Sequence, residues 1–342
     1  PSNSFFCENG NYRVADRVFH DHEKYGWLDV SHIIKYSSNI CSAKIGEKLG
    51  KVQLYRYMKA FGFGSKTGID LPGEASGFLR HYNKWSGVTL HTVSFGQGVS
   101  VSSVQLLTAV SAIANGGFLM KPYVVRSVKD QGGHVVSESH PVVTRRVISE
   151  ETARTLSEML VGVTEEGGTG EKAAIEDFDV AGKTGTAQKP DFQHGGYERG
   201  AYVASFVGFV PAKKPKLAIL VTVDEPKGEY YGGLVSGPVF KEIAEESLAY
   251  LGVFKANSSA PNMEVPEDED EDAHGEDTLA MDTELRPMAV PDFHGKSVRM
   301  VLRIAKDRAF DVEIKGSGRA VAQTPFPGAS IPEKGPVVVS FE

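Results

Sequence analysis

Apolar residues recur at every third or fourth position in four stretches of the chain and predict amphipathic helices there. The residues at the ends of these stretches agree, since Gly50 is a typical helix stop, Ser149 a typical N-cap and Pro238 a residue tolerated in a first turn. Residues 12–60 as a whole read as helical with short breaks. The four predicted helices cover 38–50, 104–117, 149–163 and 236–251.

Between the last two of these helices the pattern becomes typical of strands. Residues 179–187, 200–211 and 215–226 contain short apolar runs bounded by Gly and Pro, and they predict three successive strands. The loop 188–200 is polar and rich in turn residues, so we expect the first two strands to be antiparallel. Strands among helices without regular βαβ alternation indicate an α+β fold.

A change in composition divides the chain after its first 254 residues. Residues 264–284 carry eleven Asp and Glu and no Lys or Arg, which predicts a solvated linker. The stretch that follows contains one predicted amphipathic helix, 297–308, and then short strands separated by Gly and Pro turns. The predicted organisation is a large domain over 1–254, an acidic linker over 255–285 and a small α+β domain over 286–342.

Charge and cysteine content narrow the range of functions. The net charge is −7, and leaving out the eleven acids of 264–284 gives +4 for the rest, which weakly favours an anionic substrate. The sequence has no Lys/Arg cluster with interleaved aromatics, which argues against nucleic acid as a partner. Cys7 and Cys41 make neither a disulfide framework nor a metal-binding spacing, and Cys41 is predicted to be a buried apolar packing residue. His20 and His22 are not predicted to bind a metal, because residues two apart on a helix do not share a face.

The triplet Lys-Thr-Gly occurs twice, at 66–68 and at 183–185. The first copy lies among glycines and a proline, which is typical of a structural turn. The second lies on a predicted strand and is followed by Thr186, so an ammonium group, two hydroxyls and a glycine occur together in a pattern suited to binding a carboxylate. A phosphate-binding loop is excluded at 182–184, since Asp177 stands where that motif requires Gly. On spacing alone, an ordinary surface strand is the alternative.

A second motif, Ser37-Ser38-Asn39, precedes a predicted helix and would by itself read as a helix cap. A Ser-x-Asn-type motif together with Lys-Thr-Gly belongs to the motif set of penicillin-recognising serine enzymes. With the sequence around these motifs, such as "LDVSHIIKYSSNICSAKIGEKLG", "VAGKTGTAQ" and "YVASFVGFVP", residues 5–250 resemble the transpeptidase domain of a class B penicillin-binding protein. The C-terminal "VPDFHGKS" and "GSGRAVAQTPFPGASIPEKG" resemble a PASTA domain.

The resemblance implies a fold and an activity. The fold would be that of penicillin-recognising serine transpeptidases, an antiparallel sheet with helices on both faces. The activity would be peptidoglycan D,D-transpeptidation through a serine acyl-enzyme, without metal or cofactor. The implied partners are stem peptides ending in D-Ala-D-Ala, β-lactams, and the cell-division or elongation machinery. The implied location is extracytoplasmic, with the parent protein anchored to the cytoplasmic membrane.

The resemblance also implies roles for individual residues. Ser37 would relay a proton toward the leaving amine, and Asn39 would bond the substrate amide and the lysine near the nucleophile. Lys183 would supply positive charge near Ser37 and the substrate carboxylate. Thr184 and Thr186 would offer hydroxyls to that carboxylate, with the Thr186 N–H as half of an oxyanion hole, and Gly185 would leave space for the substrate backbone.

The sequence departs from the family pattern in its first motif. No serine of the chain has Lys three residues later, and the nearest approach is Ser42-Ala43-Lys44. Because the chain starts at Pro1 and not at Met, we expect it to begin after the helix that carries the nucleophile, and to be inactive alone. A non-catalytic wall-binding or scaffold protein is the alternative, and a serine β-lactamase is disfavoured by the PASTA-like tail.

Overall fold

The computed structural model describes residues 1–253 apart from 192, and 290–341 apart from 297, 308–309, 317, 328 and 330–334. The chain divides into two compact units, Pro1–Met263 and Glu264–Glu342. The predicted acidic linker over 255–285 lies outside the described residues. In the described part of the chain, no helix is long and apolar enough to cross a membrane.

The first unit contains eight of the described helices and eleven of the described strands. The helices are α1 (Val30–Tyr36), α2 (Asn39–Leu49), α3 (Lys51–Ala60), α4 (Thr89–Ser94), α5 (Ser103–Ala114), α6 (Glu150–Val161), α7 (Gly232–Val235) and α8 (Gly237–Tyr250). The strands are β1 (Ser4–Phe6), β2 (Asn11–Val14), β3 (Arg17–His20), β4 (Trp27–Asp29), β5 (Phe118–Lys121), β6 (Ser127–Lys129), β7 (Val135–Glu138), β8 (Val142–Arg146), β9 (Ala181–Pro190), β10 (Tyr197–Val210) and β11 (Leu217–Asp224).

The four helices predicted from the apolar period are α2, α5, α6 and α8, and they carry the predicted end signals. Gly50 ends α2, Ser149 caps α6 through its side chain, and Pro238 lies in the first turn of α8. Ser102 and Gln105 form a capping box at the start of α5, where each side chain accepts from the other residue's backbone N–H.

The three predicted strands form one antiparallel sheet in the order β11-β10-β9. Residues alternate between its two faces. Phe206 and Val210 of β10 pack in one cluster with Phe240 of α8, whereas Phe209 packs in another cluster with residues of α5 and α6. The sheet therefore has helices on both faces, as predicted. β9, which contains the second Lys-Thr-Gly, lies at one edge of this sheet.

The prediction of helix through residues 12–29 is wrong. β2 and β3 form a hairpin here and β4 pairs with β1. The physical reason is a period of two in β2, where Tyr12 and Val14 are half-buried and their neighbours are exposed. A tight turn joins the hairpin, with Ala15 in the left-handed region at φ 51°.

Cys41 is fully buried, as predicted, but its sulfur is bonded to Cys7. The disulfide joins the end of β1 to α2 inside a cluster that also contains Phe19, Ile33 and Ile40. Two cysteines 34 residues apart carry no local signal for this pairing, because the bond depends on how β1 and α2 pack in the folded chain.

The second unit has its own core. Its described elements are α9 (Val298–Asp307), β12 (Val312–Gly316), β13 (Ala320–Thr324) and β14 (Val337–Phe341). The central β14 is parallel to β12 and antiparallel to β13. Its core consists of Val290, Phe293, Val301, Ala320, Val337, Val339 and Phe341.

Candidate active site

The Ser37-Ser38-Asn39 motif forms the junction between α1 and α2. Ser37 follows the last residue of α1 and has left-handed backbone angles of φ 56° and ψ 42°, which turn the chain sharply. Ser38 is the N-cap of α2, and its Oγ accepts from the Cys41 N–H at 3.1 Å. The helix-cap interpretation of the motif therefore describes Ser38, and the sharp turn leaves the Ser37 side chain outside both helices.

The sheet brings Lys183 to this junction. Lys183 lies on the same face of β9 as Ala181, whose side chain packs with Ile34 of α1. The Lys183 Nζ donates to the Ser37 Oγ at 2.7 Å, across 146 residues of sequence. Burial lowers the pKa of Lys183 to about 8, because the charged ammonium is poorly solvated here.

The Thr184 side chain, on the other face of β9, links Lys183 to Thr169. Its hydroxyl accepts from the Lys183 Nζ at 3.3 Å and donates to the Thr169 hydroxyl at 3.0 Å. Thr169 in turn donates through its hydroxyl to the Lys35 carbonyl at 3.3 Å. Sequence reasoning did not single out Thr169, although its Gly-Gly-Thr-Gly setting marks a close backbone approach that could have drawn attention to it.

The hydroxyl of Thr186 faces α7. It accepts from the Gly232 N–H at 3.1 Å. Gly232 has no room for a side chain, since an added Cβ would lie 2.2 Å from the Ser205 carbonyl oxygen and 2.3 Å from that of Gly185. At Gly185 itself an added Cβ would lie 2.5 Å from the Ser205 Oγ. The Ser205 hydroxyl can rotate away, so this contact restricts position 185 less than the two backbone carbonyl oxygens restrict position 232.

Asn39 is not bonded to Lys183 but to the end of the β2–β3 hairpin. Its Nδ2 donates to the His20 carbonyl oxygen at 3.2 Å. The next residue, Asp21, accepts from the Ser38 Oγ at 2.6 Å and from the Ile40 N–H at 3.0 Å. Sequence reasoning missed Asp21, because residues 12–29 were read as helix.

The first Lys-Thr-Gly has a different environment. Lys66 is exposed in an irregular segment. The Glu74 carboxylate accepts from the Thr67 hydroxyl at 2.6 Å and from the Gly68 N–H at 3.1 Å, and Gly68 has a left-handed φ of 77°. These contacts fit a turn that Glu74 stabilises. In the described part of the chain, they do not place the Ser37-Ser38-Asn39 motif beside Lys66.

The arrangement around Lys183 combines a half-buried cation, a serine hydroxyl and an edge strand. β9 is an edge strand among the described strands, and an extended peptide can add to an edge of this kind. A lysine and hydroxyls beside that edge suit a peptide that ends in a carboxylate. Within the described ranges, no three His, Cys, Asp or Glu side chains come together as a metal site.

Comparison with known proteins gives the family of both parts of the chain. Residues 1–245 match the penicillin binding protein transpeptidase domain, and residues 288–342 match the PASTA domain. The chain is 37% identical over 311 residues to stage V sporulation protein D of Bacillus subtilis, covering 90% of this chain and 45% of that protein. It is 37% identical over 244 residues to the probable peptidoglycan D,D-transpeptidase PenA of Neisseria gonorrhoeae, covering 71% of this chain and 40% of that protein.

A solved structure agrees with these matches. Penicillin binding protein 3 of Mycobacterium tuberculosis, complexed with ampicillin, superposes with a TM-score of 0.70 at 28% identity, covering 76% of this chain and 60% of that one. The chain spans less than half the length of the two curated relatives above. Over its first 245 residues, the chain belongs to the family of penicillin-binding protein transpeptidase domains.

Proposed function

We propose that this chain is part of a peptidoglycan D,D-transpeptidase that β-lactams acylate. The observation that carries the proposal is the 2.7 Å hydrogen bond from the Lys183 Nζ to the Ser37 Oγ beside the open edge of β9. Two motifs 146 residues apart meet there, in a chain of this family. The same family fold in Mycobacterium tuberculosis is recorded with ampicillin and with aztreonam.

The reaction is an acyl transfer in two steps. A serine Oγ attacks the carbonyl between the two D-alanines, the terminal D-Ala leaves with a proton, and an ester to the enzyme forms. The amine of a neighbouring stem peptide then attacks this ester, which forms the cross-link and returns the proton to the serine. Dividing one amide exchange into two steps lowers each barrier.

In this reaction the residues of the site hold the substrate and move protons. Lys183 binds the substrate carboxylate and, through Ser37, delivers a proton toward the leaving amine. Thr184 and Thr186 add hydroxyls to the carboxylate site, and the Thr186 N–H forms half of the oxyanion hole. Gly185 lets the substrate backbone approach β9. The Asn39 Oδ1 accepts from the substrate amide or from the lysine beside the nucleophile.

The attacking serine is not among the 342 residues. No serine here has Lys three positions later, and Lys44, two positions after Ser42, lies on a different helix face. We therefore expect no covalent adduct when this chain alone is incubated with excess penicillin, as measured by the intact mass. A stoichiometric mass gain at one serine would refute this assignment.

The Cys7–Cys41 disulfide favours an oxidising compartment, since such bonds persist mainly outside the cytoplasm. We place the site on the outer side of the cytoplasmic membrane, in a parent protein anchored there and working with the division or elongation machinery. We also keep the division into a transpeptidase part over 1–254, a linker over 255–285 and a PASTA domain over 286–342.

Labelling of the natural gene product that contains this chain with a fluorescent penicillin tests the function. A transpeptidase labels stoichiometrically and keeps the label. A wall-binding scaffold does not label, which would refute the proposal. Rapid hydrolysis of penicillin with turnover would identify a β-lactamase and would also refute the proposal.

A further inference from the structure

Asp21 connects the end of the β2–β3 hairpin to the start of α2. Its Oδ2 accepts from the Ser38 Oγ at 2.6 Å and its Oδ1 accepts from the Ile40 N–H at 3.0 Å. Both partners lie within or directly beside the Ser37-Ser38-Asn39 motif. One carboxylate from a distant segment therefore holds this motif at two points.

The position of Asp21 at a helix start makes both contacts favourable. The first N–H groups of α2 have no partner within the helix, and Asp21 supplies one for Ile40 while Ser38 supplies one for Cys41. A negative charge also suits the positive end of the helix dipole. Ser38 is only 1% exposed, so water does not compete freely for its hydroxyl.

The neighbours of Asp21 contact both sides of the site. The His20 carbonyl accepts from the Asn39 Nδ2 at 3.2 Å, and this bond orients the side-chain amide of Asn39. The His22 ring packs edge-on against Tyr231, with ring centroids 4.9 Å apart, and its Nδ1 lies 3.2 Å from the Tyr231 hydroxyl. Tyr231 directly precedes Gly232, whose N–H donates to Thr186.

We propose that Asp21 is a positioning residue of the active site. It holds Ser37 and Asn39 in place relative to the strand with Lys183 and Thr186, and it acts through those residues without touching the substrate. The catalytic part of this inference rests on the proposed function, while the structural part does not. Because misplacement of a catalytic group by 1 Å can cost about 100-fold in rate, we expect Asp21→Ala to slow penicillin acylation by about 10- to 100-fold.

The first experiment measures the second-order rate constant of labelling by a fluorescent penicillin in the natural gene product that contains this chain. Asp21→Ala is compared with Asp16→Ala, which removes an exposed carboxylate from the turn of the same hairpin. Thermal unfolding of each variant verifies that it is folded. Asp16→Ala should label like the wild type, and Asp21→Ala labelling at the wild-type rate would refute the proposal.

A double-mutant cycle separates positioning from a general loss of structure. If Asp21 acts through the Ser-x-Asn motif, the rate loss from Asp21→Ala should be much smaller in an Asn39→Ala background than in the wild type. Asp21→Asn keeps an acceptor for the Ile40 N–H and should recover part of the rate. Fully additive losses, without recovery in Asp21→Asn, would show that Asp21 only supports the fold and would refute the proposal.

An NMR measurement on the 342-residue chain tests the contacts without any catalytic assay. In Asp21→Ala, the Ile40 amide and the Asn39 side-chain amide should both shift and exchange faster with water, whereas Asp16→Ala should leave them unchanged. Unchanged signals in Asp21→Ala would refute the proposal. If the wild-type protein does not label, the proposed function is refuted. The positioning of Asn39 by Asp21 is then tested by these NMR signals alone.

Discussion

At the residue scale, the two Lys-Thr-Gly triplets show how identical side chains acquire different chemistry. Lys66 is exposed beside a turn that Glu74 stabilises, so its ammonium group is solvated by water. Lys183 is held on a strand against Ser37 and Thr184, where burial lowers its pKa to about 8. Only the second environment places the ammonium group against a residue of the other motif, Ser37.

We predict that Lys183→Ala slows penicillin acylation of the natural gene product by about 100-fold, since preorganised charge at a reacting centre has effects of this size. Lys66→Ala is the matched control and should stay within about twofold, as is usual for exposed surface positions. The measurement is the second-order rate constant of labelling. A larger loss in Lys66→Ala than in Lys183→Ala would reverse the assignment.

We predict that acylation falls as pH rises through about 8. Burial lowers the pKa of Lys183 from 10.5 to about 8, so the ammonium is present below this pH and lost above it, where an ordinary lysine would still be charged. The rate profile from pH 6 to 10 measures this, and ¹³C NMR of the Lys183 Cε gives its titration directly. A rate that rises through pH 8 would indicate neutral Lys183 as a base, and a Cε titration near 10.5 would contradict the lowered pKa.

At the element scale, the site depends on how closely backbone segments approach one another. α7 packs on β9 and β10 through Gly232 and Gly233, and an added Cβ at Gly233 would lie 1.9 Å from the Thr169 carbonyl oxygen. This contact positions the α7 N–H that bonds Thr186. The atoms that would be displaced belong to the backbone of the sheet and of the Thr169 loop, so they have little freedom to move.

We predict that Gly232→Ala lowers the free energy of unfolding by about 1–3 kcal/mol, because the new methyl group would overlap the backbone carbonyl oxygens of Ser205 and Gly185. Gly87→Ala is the control, since its Cβ would meet no atom within 4 Å and its φ lies outside the left-handed region. That variant should be neutral or slightly stabilising. Urea unfolding of both variants tests this, and equal stabilities would contradict the packing argument.

At the scale of the whole molecule, the chain has separate cores in its two units. Phe240 is fully buried in the first unit, between α8 and the central sheet, and Phe293 is fully buried in the second. Each core is built from residues of its own unit. Separate cores of this kind are typical of domains that unfold as individual units.

We predict two thermal transitions that respond to different substitutions. Phe240→Ala should lower the temperature of one transition and Phe293→Ala that of the other. Each change should reduce the free energy of unfolding of its own unit by roughly 3–5 kcal/mol, as is typical of a buried Phe→Ala change. Differential scanning calorimetry of the 342-residue chain measures both. The two variants serve as controls for each other, and a single transition shifted by both substitutions would contradict independent cores.

The sequence by itself determined the elements whose signals are local. The helices capped by Ser149 and ended by Gly50, the strands over 179–226 and the α+β class follow from period and capping, which depend on neighbouring residues alone. The two motifs and the sequence around them were sufficient to predict the family, and they identified Ser37 and Lys183 as candidate site residues without any geometry.

Only the tertiary structure decided which residues meet. The Lys183–Ser37 bond spans 146 residues, the Cys7–Cys41 disulfide spans 34, and Asp21 reaches Ile40 across 19. Each contact depends on chain segments that local patterns cannot orient relative to one another. The hairpin over 11–20 was also missed, because strands of four residues give a weak periodic signal and gain their stability from pairing and packing. Asp21 became visible as a candidate only when that hairpin placed its carboxylate at the start of α2.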